Sequence, residues 1–433
     1  MLFRSSLDGA RAINPSIDEN RAAPSFCRPS RGVARCGIWG KTMCENKETE
    51  MLLRLMRAAL HRNFEMPIPW ETGCDAEKLD VLIRRQSLVM MVYPVIARQS
   101  GDGWESLRKG MKDFFARETH RSITQEYEIG WLLDEMEASG IDCLPMKGWV
   151  IRNYYPDPLM RSMTDFDVLL REVEHDKMLA WMKTRGYNRV KMVRQYDDEY
   201  EKPPYMYVEL HWHLFYEGGE VEQQQERTVW QEDDREPGTA HRYRLREEDL
   251  YIHCMSHFYK HFTSSGVGIR FLADIYLLQK QLKMDRSYVE AMFAQMKILG
   301  FARRLEQVAL SCFEGQAMDE QTKLIVDYLT EAGVHGSLEL NEALYTVKKG
   351  EGAYGLNRLC TFWQRCFPDL TFMQAGYPRL NRQPWLMPFY WGIRIFRIVF
   401  LQNERVRAMA RYQTKKEYDR LKEIYDAAGI DEK

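Results

Sequence analysis

The stretch that decides the fold is LPMKGWVIRNYYPDPLMRSMTDFDVLL, residues 144–170. It follows Ile141-Asp142-Cys143 with two more apolar residues, so IDCLPM reads as a short strand. Lys147-Gly148 makes a turn, and WVIRNYY reads as a short helix ended by Pro156 and Pro158. TDFDVLLR is a second strand. Side chains alternate along a strand, so Asp165 and Asp167 share one face and Phe166 takes the other. Two ionised carboxylates that close repel, and a divalent cation removes that cost. On this reading Asp167→Asn relieves repulsion and leaves folding intact or improved. A D-x-D triplet by itself also suits two solvated acids at a strand end. Here Val168, Leu169 and Leu170 carry the strand into a buried sheet, where acids at its mouth are costly without a partner.

Downstream, EHDKMLAWMKTRG reads as a helix stopped by Gly186, followed by strands YNRVKMV and YMYVELHWHLF (205–215). In the last of these Met206, Val208, Leu210, Trp212 and Leu214 form one face. Tyr207, Glu209, His211 and His213 form the other. Set beside the Asp strand, it offers Glu209 as a third carboxylate. The acidic DDEYE run at 197–201, before Pro203-Pro204, reads as a solvated loop, as does EQQQE at 222–226. At the Lys147-Gly148 turn, glycine lets backbone approach a ligand, and a helix N-terminus with a lysine favours phosphate.

Outward from this α/β block, at 141–246, the pattern is helical on both sides. Residues 43–140 contain helical runs at about 46–63, 76–99 and 104–138, the last stopped at Gly140. Residues 247–433 contain strong helices in REEDLYIHCMSHFYKHF and GIRFLADIYLLQKQL. His253, His257 and His261 recur every fourth residue and share one helix face, as a wall of a cleft or as packed histidines. No H-E-x-x-H accompanies them. FYWGIRIFRIVF, with Arg394 and Arg397, reads as a bundle helix with snorkelling arginines. Residues 1–42, rich in Arg, Ser and Pro, read as a disordered leader, with Met43 the expected beginning.

The whole-chain numbers bound the function. Across 433 residues, Lys+Arg 61 against Asp+Glu 63 leaves a net charge of −2, which excludes coating of nucleic acid by bulk charge. Hydrophobic residues at 45% supply a core, and no apolar stretch is long enough to span a membrane. The nine cysteines are irregularly spaced, with no C-x-x-C pair, which points to a reducing cytoplasm.

Strand-Lys-Gly, short helix, Arg-x3-Asp-x-Asp, then a later strand with hydrophobic-Glu-hydrophobic resembles the nucleotidyltransferase superfamily of DNA polymerase beta-like folds. It is closer still to that superfamily's branch of uncharacterised bacterial nucleotidyltransferases. GIRFLADIYLL and YPRL…PWLMPFYWGIRIFR also look like that branch. The resemblance implies an α+β fold, a short mixed sheet with helices, flanked by helical regions. It implies Mg²⁺ or Mn²⁺ held by Asp165, Asp167 and Glu209, and transfer of a nucleoside monophosphate from an NTP to an unidentified hydroxyl acceptor. Glu209 would also serve as a base. Gly148 would be the close-approach glycine, with Lys147, Arg152 and Arg161 on the phosphates and His211, His213 and His257 in the cleft. One departure is Trp149, where the general pattern has Ser or Gly. Two other readings remain: a catalytically degenerate nucleotide- or partner-binding protein of this fold, and a glycosyltransferase using D-x-D on a nucleotide-sugar.

Overall fold

In the computed structural model the run at 51–60 forms α1 (Lys47–Leu60), which buries Met51, Leu52, Leu55, Met56 and Ala59. The structure describes residues 47–171, 175–193, 197–215, 220–226, 228–333, 366–396 and 415–430, with Leu344 and Trp363 besides. The expected leader lies outside them.

The single helix expected over 76–99 is two helices. α2 (Ala76–Arg85) is capped by Asp75, whose carboxylate accepts the N–H groups of Glu77 and Lys78. α3 (Val89–Ile96) follows a break at Ser87, held at φ +52°. The break has a tertiary cause. Gln86 is fully buried there; its amide donates to the carbonyls of Leu329 and Thr330 and accepts the N–H of Ile269. Three distant backbone groups are thereby satisfied, which outweighs helix continuity.

α4 (Asp102–Ala138) has 37 residues and stops where Gly140 turns at φ +68°. Its two halves serve different cores. Trp104, Leu107 and Met111 pack with α1–α3, whereas Ile129, Leu132, Leu133 and Met136 pack against the sheet.

The sheet has five strands in the order β1-β2-β5-β4-β3: β1 (Cys143–Pro145), β2 (Phe166–Leu170), β3 (Asn188–Val193), β4 (Asp197–Lys202) and β5 (Met206–His211). Only β2 and β5 run parallel, with Asp167 opposite Glu209. α5 (Lys147–Ile151) joins β1 to β2, and α6 (His175–Thr184) precedes β3. Phe166, Val168, Leu170, Met206, Val208 and Leu210 face α4 and α6 in one core.

β4 corrects the solvated-loop reading of 197–201. It pairs with β3 on one edge and β5 on the other, so its backbone groups are satisfied by neighbours. Asp198 and Tyr200 turn into the packed side and are fully buried, while Asp197, Glu199 and Glu201 take the opposite side. β5 ends at His211, so the predicted alternation stops short of Trp212 and His213. EQQQE at 222–226, read as a polar loop, lies in the helix α7 (Glu220–Glu226).

The C-terminal half returns to helices: α8 (Glu247–Ser264), α9 (Arg270–Gln281), α10 (Arg286–Gln295), α11 (Leu299–Glu314) and α12 (Glu320–Ala332). α13 (Leu370–Gly376), α14 (Met387–Phe396) and α15 (Lys415–Ala427) follow. α1–α3, the start of α4, α8–α12 and α15 share one large core. Helices from both sides of the sheet in sequence thus clamp the turn at 147–163. The expectation of a buried bundle helix at 389–396 is not met, because α14 has no buried residue. Arg397 lies outside the described residues. Among those described, no helix is long and apolar enough to cross a membrane.

Candidate active site

The face of the sheet away from α4 carries the charges. Asp167 on β2 and Glu209 on β5 are side by side in register, and His211 is two residues further along β5. One ligand atom from each lies within 4.8 Å of the others. His211 Nε2 is 2.8 Å from Asp167 Oδ1 and 3.6 Å from Glu209 Oε2. Lys147 reaches in from the turn: its Nζ donates to the same Asp167 Oδ1 and lies 3.4 Å from His211 Nε2. The backbone closes the arrangement, since Met146 N–H donates to the Asp167 carbonyl at 3.0 Å.

Asp165 stands immediately before β2. The loop leading to it is pinned from two sides. Arg121 of α4 donates to the Met163 carbonyl at 2.7 Å, and Arg270 of α9 to that of Ser162 at 2.9 Å. Asp165 is outside the set of mutually close ligand atoms, yet its charge acts on Glu209. Burial and the neighbouring Asp167 push the Asp165 carboxyl up to about 6. Burial, with Asp165 and Asp167 adding to it, pushes Glu209 well above its ordinary value. Burial would also raise Asp167, but Lys147 and His211 hold it well below the usual carboxylate range. Burial, reinforced by the Lys147 charge, lowers His211, so its imidazole stays neutral. The cluster therefore holds more carboxyl groups than Lys147 can compensate, and Asp165 and Glu209 keep their protons more strongly than free carboxyls do.

The predicted phosphate residues divide. Lys147 is in the cluster. Arg161 is buried and bidentate to Asp274 of α9, at 2.8 and 2.9 Å, and Tyr155 donates to the same carboxylate at 2.6 Å. Arg152 is buried too, donating to Glu126 at 3.0 Å and lying over the Trp149 ring. Both guanidinium groups are committed to carboxylates of the chain, Arg161 to the buried Asp274 and Arg152 to the exposed Glu126. Gly148 makes room for protein: a Cβ there would stand 2.8 Å from Arg161 Nη1 and 3.2 Å from Met163 Cγ. Trp149 turns its ring onto the sheet core against Phe166. The positive φ belongs to Lys147, at +46°, and α5 has only five residues.

The histidines divide as well. His213 lies beyond the strand end, exposed, with Nδ1 2.9 Å from Glu226 of α7. On α8, His257 and His261 meet through their Nε2 atoms at 3.0 Å. His253 is buried between the rings of Phe215 and His257, with no hydrogen bond on either nitrogen. Burial and the nearby Lys147 bring it down to about 3, so it is neutral.

Sequence reasoning missed Asp197, opposite His211 across β4–β5, and Glu199, opposite Glu209. The Asp197 Oδ1 is buried without a hydrogen-bond partner. Its signal was an alternation, D-D-E-Y-E, with acids on one face. It also missed Asp274, the partner of Arg161.

A divalent cation suits these donors. They include hard carboxylate oxygens in excess, one imidazole, and an orphaned carboxylate oxygen at the edge. A family model described as an uncharacterised nucleotidyltransferase matches residues 72–314, more than half of the chain. The match runs from the turn before α2 to the end of α11 and includes the whole sheet. Neither the curated proteins nor the solved structures give a match. With Asp167 and Glu209 side by side on one sheet face and the family model spanning both, the chain belongs to this family of nucleotidyltransferases.

Proposed function

We propose that the protein transfers a nucleoside monophosphate from an NTP to a hydroxyl acceptor, using Mg²⁺ or Mn²⁺ held by Asp165, Asp167 and Glu209. The observation that carries this reading is the in-register pairing of Asp167 with Glu209 on parallel strands. It puts two carboxylates side by side, with Asp165 two residues before Asp167. When bound, the metal neutralises charge on the phosphates and on the attacking and leaving oxygens. The chain's own residues bind and orient. Lys147 is the cation placed to meet the triphosphate. Gly148, Arg152 and Arg161 hold the turn that presents it, and the latter two act from beneath the site. Glu209, with its raised carboxyl, is suited to accept the acceptor's proton. His211 and His257 line the cleft. His213 does not belong to it. The free thiols among the described residues suit a reducing cytoplasm.

Trp149 favours a second reading, nucleotide binding without turnover. A tryptophan packed on Phe166 replaces the small polar residue of the general pattern. One experiment separates the two. The four NTPs are screened with Mg²⁺ or Mn²⁺ while pyrophosphate release, self-labelling and nucleotide-induced thermal shift are followed. Release of pyrophosphate that is lost in Asp167→Asn supports transfer. A thermal shift with no release supports the binding protein, and neither signal with any NTP rejects both.

A further inference from the structure

Lys147 occupies an unusual position. Its ammonium donates to Asp167 Oδ1, the oxygen that also receives His211 Nε2 at 2.8 Å. It is thus inside the group formed by Asp167, Glu209 and His211, the same three residues whose ligand atoms come within 4.8 Å of one another. An ammonium on Asp167 Oδ1 and a divalent cation among the same ligand atoms repel each other in so small a volume. The backbone is bent to keep the lysine there. A non-glycine residue at φ +46° sits in the left-handed region that side chains disfavour, and such strain persists only where the surroundings enforce it.

We propose that Lys147 is a resident counter-cation. It neutralises the carboxylates when the site is empty, and it moves onto the triphosphate when metal and nucleotide enter together. This inference rests on the metal site proposed above. It has a thermodynamic consequence. Metal alone must displace an ammonium that then has no anion to meet, so it binds weakly. Metal with nucleotide gives the ammonium a new partner, so the two ligands bind cooperatively. By linkage the gain is the same whichever binds first.

The test is calorimetric titration of Mn²⁺ into the full-length protein, with and without a non-hydrolysable NTP, for wild type, Lys147→Met and Lys147→Arg. Lys147→Met keeps the stem and removes the charge. It is expected to bind Mn²⁺ alone at least tenfold more tightly than wild type. The nucleotide should raise Mn²⁺ affinity at least tenfold in wild type and less than threefold in Lys147→Met. Lys147→Arg should keep weak binding of metal alone. Equal or weaker Mn²⁺ binding by Lys147→Met overturns the proposal while leaving the metal site standing. No Mn²⁺ binding by any form, with or without nucleotide, rejects the metal site itself and the proposal with it. A measurement on wild type needs no variant: amine acylation followed by peptide mass spectrometry. Lys147 should be protected in metal-free protein and at least fivefold more reactive with saturating Mn²⁺ alone. Unchanged reactivity in that experiment also overturns the exchange.

Discussion

Two buried charged clusters lie on either side of the Lys147-Gly148 turn, and they are built on opposite principles. Around Asp274 everything closes. Arg161 forks onto both carboxylate oxygens and Tyr155 adds a third hydrogen bond, with Arg270 as a second cation nearby. Around Asp167 nothing closes. Asp165, Asp167 and Glu209, with Asp197 and Glu199 beside them, face Lys147, and Arg270 acts on Asp165 besides. The Asp165 and Glu209 carboxyls are raised because their ionised forms lack compensation. A satisfied buried ion cluster holds the fold together, whereas an over-charged one waits for a cation.

The largest effect should come from breaking the closed cluster. Asp274→Ala leaves the Arg161 guanidinium buried without its partner, at a cost of about 3–5 kcal/mol. Chemical denaturation should show that loss. Asp274→Asn should fall between, because its one amide oxygen can still accept from Arg161 Nε and Tyr155, while its NH2 group cannot accept from Arg161 Nη2 and the charge is lost. If Asp274→Ala unfolds at the wild-type midpoint, Asp274 is not the keystone of this turn.

In the open cluster, substitution should affect turnover more than folding. Asp167→Asn is expected to lower pyrophosphate release about a hundredfold or more. The structure corrects the expectation that it also spares the fold. Asp167 is the carboxylate that Lys147 and His211 stabilise, and its lowered carboxyl contributes stability at every pH above its ordinary value. Its melting temperature should therefore fall. Relief of repulsion belongs instead to Asp165→Asn and Glu209→Gln. These should lose activity to a similar degree yet melt at or above wild type without metal. A stabilised Asp167→Asn, or a strongly destabilised Glu209→Gln, would invert the assignment of charges.

A smaller effect separates the carboxylates by pH. Asp165, raised to about 6, is ringed by Lys147, Asp167, Glu209 and Arg270. Its folded value exceeds its unfolded one, so its contribution is complete at low pH and is lost as pH rises through about 6. The lowered histidines His211, His253 and His257 act with the opposite sign, adding stability as pH rises toward their unfolded value. The increment in melting temperature produced by Mn²⁺ isolates the acids. It should be small at pH 5 and grow through pH 6 to 7.5, as the proton on Asp165 gives way to metal. A flat increment would mean that Asp165 takes no part in holding the ion.

How much of this was legible follows from how each residue is specified. The pairing of Asp167 with Glu209 could be read from alternation, because a strand's two faces are set by the chain itself, whereas Asp165 stands before β2 rather than on it. The apolar partners Phe166, Val168, Val208 and Leu210 declare which face is packed. β4 could not be read so, because DDEYE becomes a strand only through pairing on both edges, a tertiary cause. The break at Ser87 depends likewise on carbonyls more than 240 residues away. Arg161 illustrates a third limit: a motif arginine gives no sign of its partner, and Asp274 lies 113 residues further on.

The smallest predicted effect tests the sharpest edge of that legibility. His211 and His213 are equivalent in the alternation, two residues apart on the same predicted face. The structure separates them, because β5 ends at His211 and the chain turns away before His213. His211 remains against Asp167, whereas His213 meets Glu226 in solvent, and exposed pairs of that kind contribute little. His213→Ala should thus leave stability within about 0.5 kcal/mol of wild type and change pyrophosphate release less than twofold. His211→Ala should lower both, since it strips Asp167 of one of its two stabilising partners. Measuring the two variants side by side decides whether the strand end or the sequence alternation marks the limit of the site. Equal losses in both would put His213 back in the cleft.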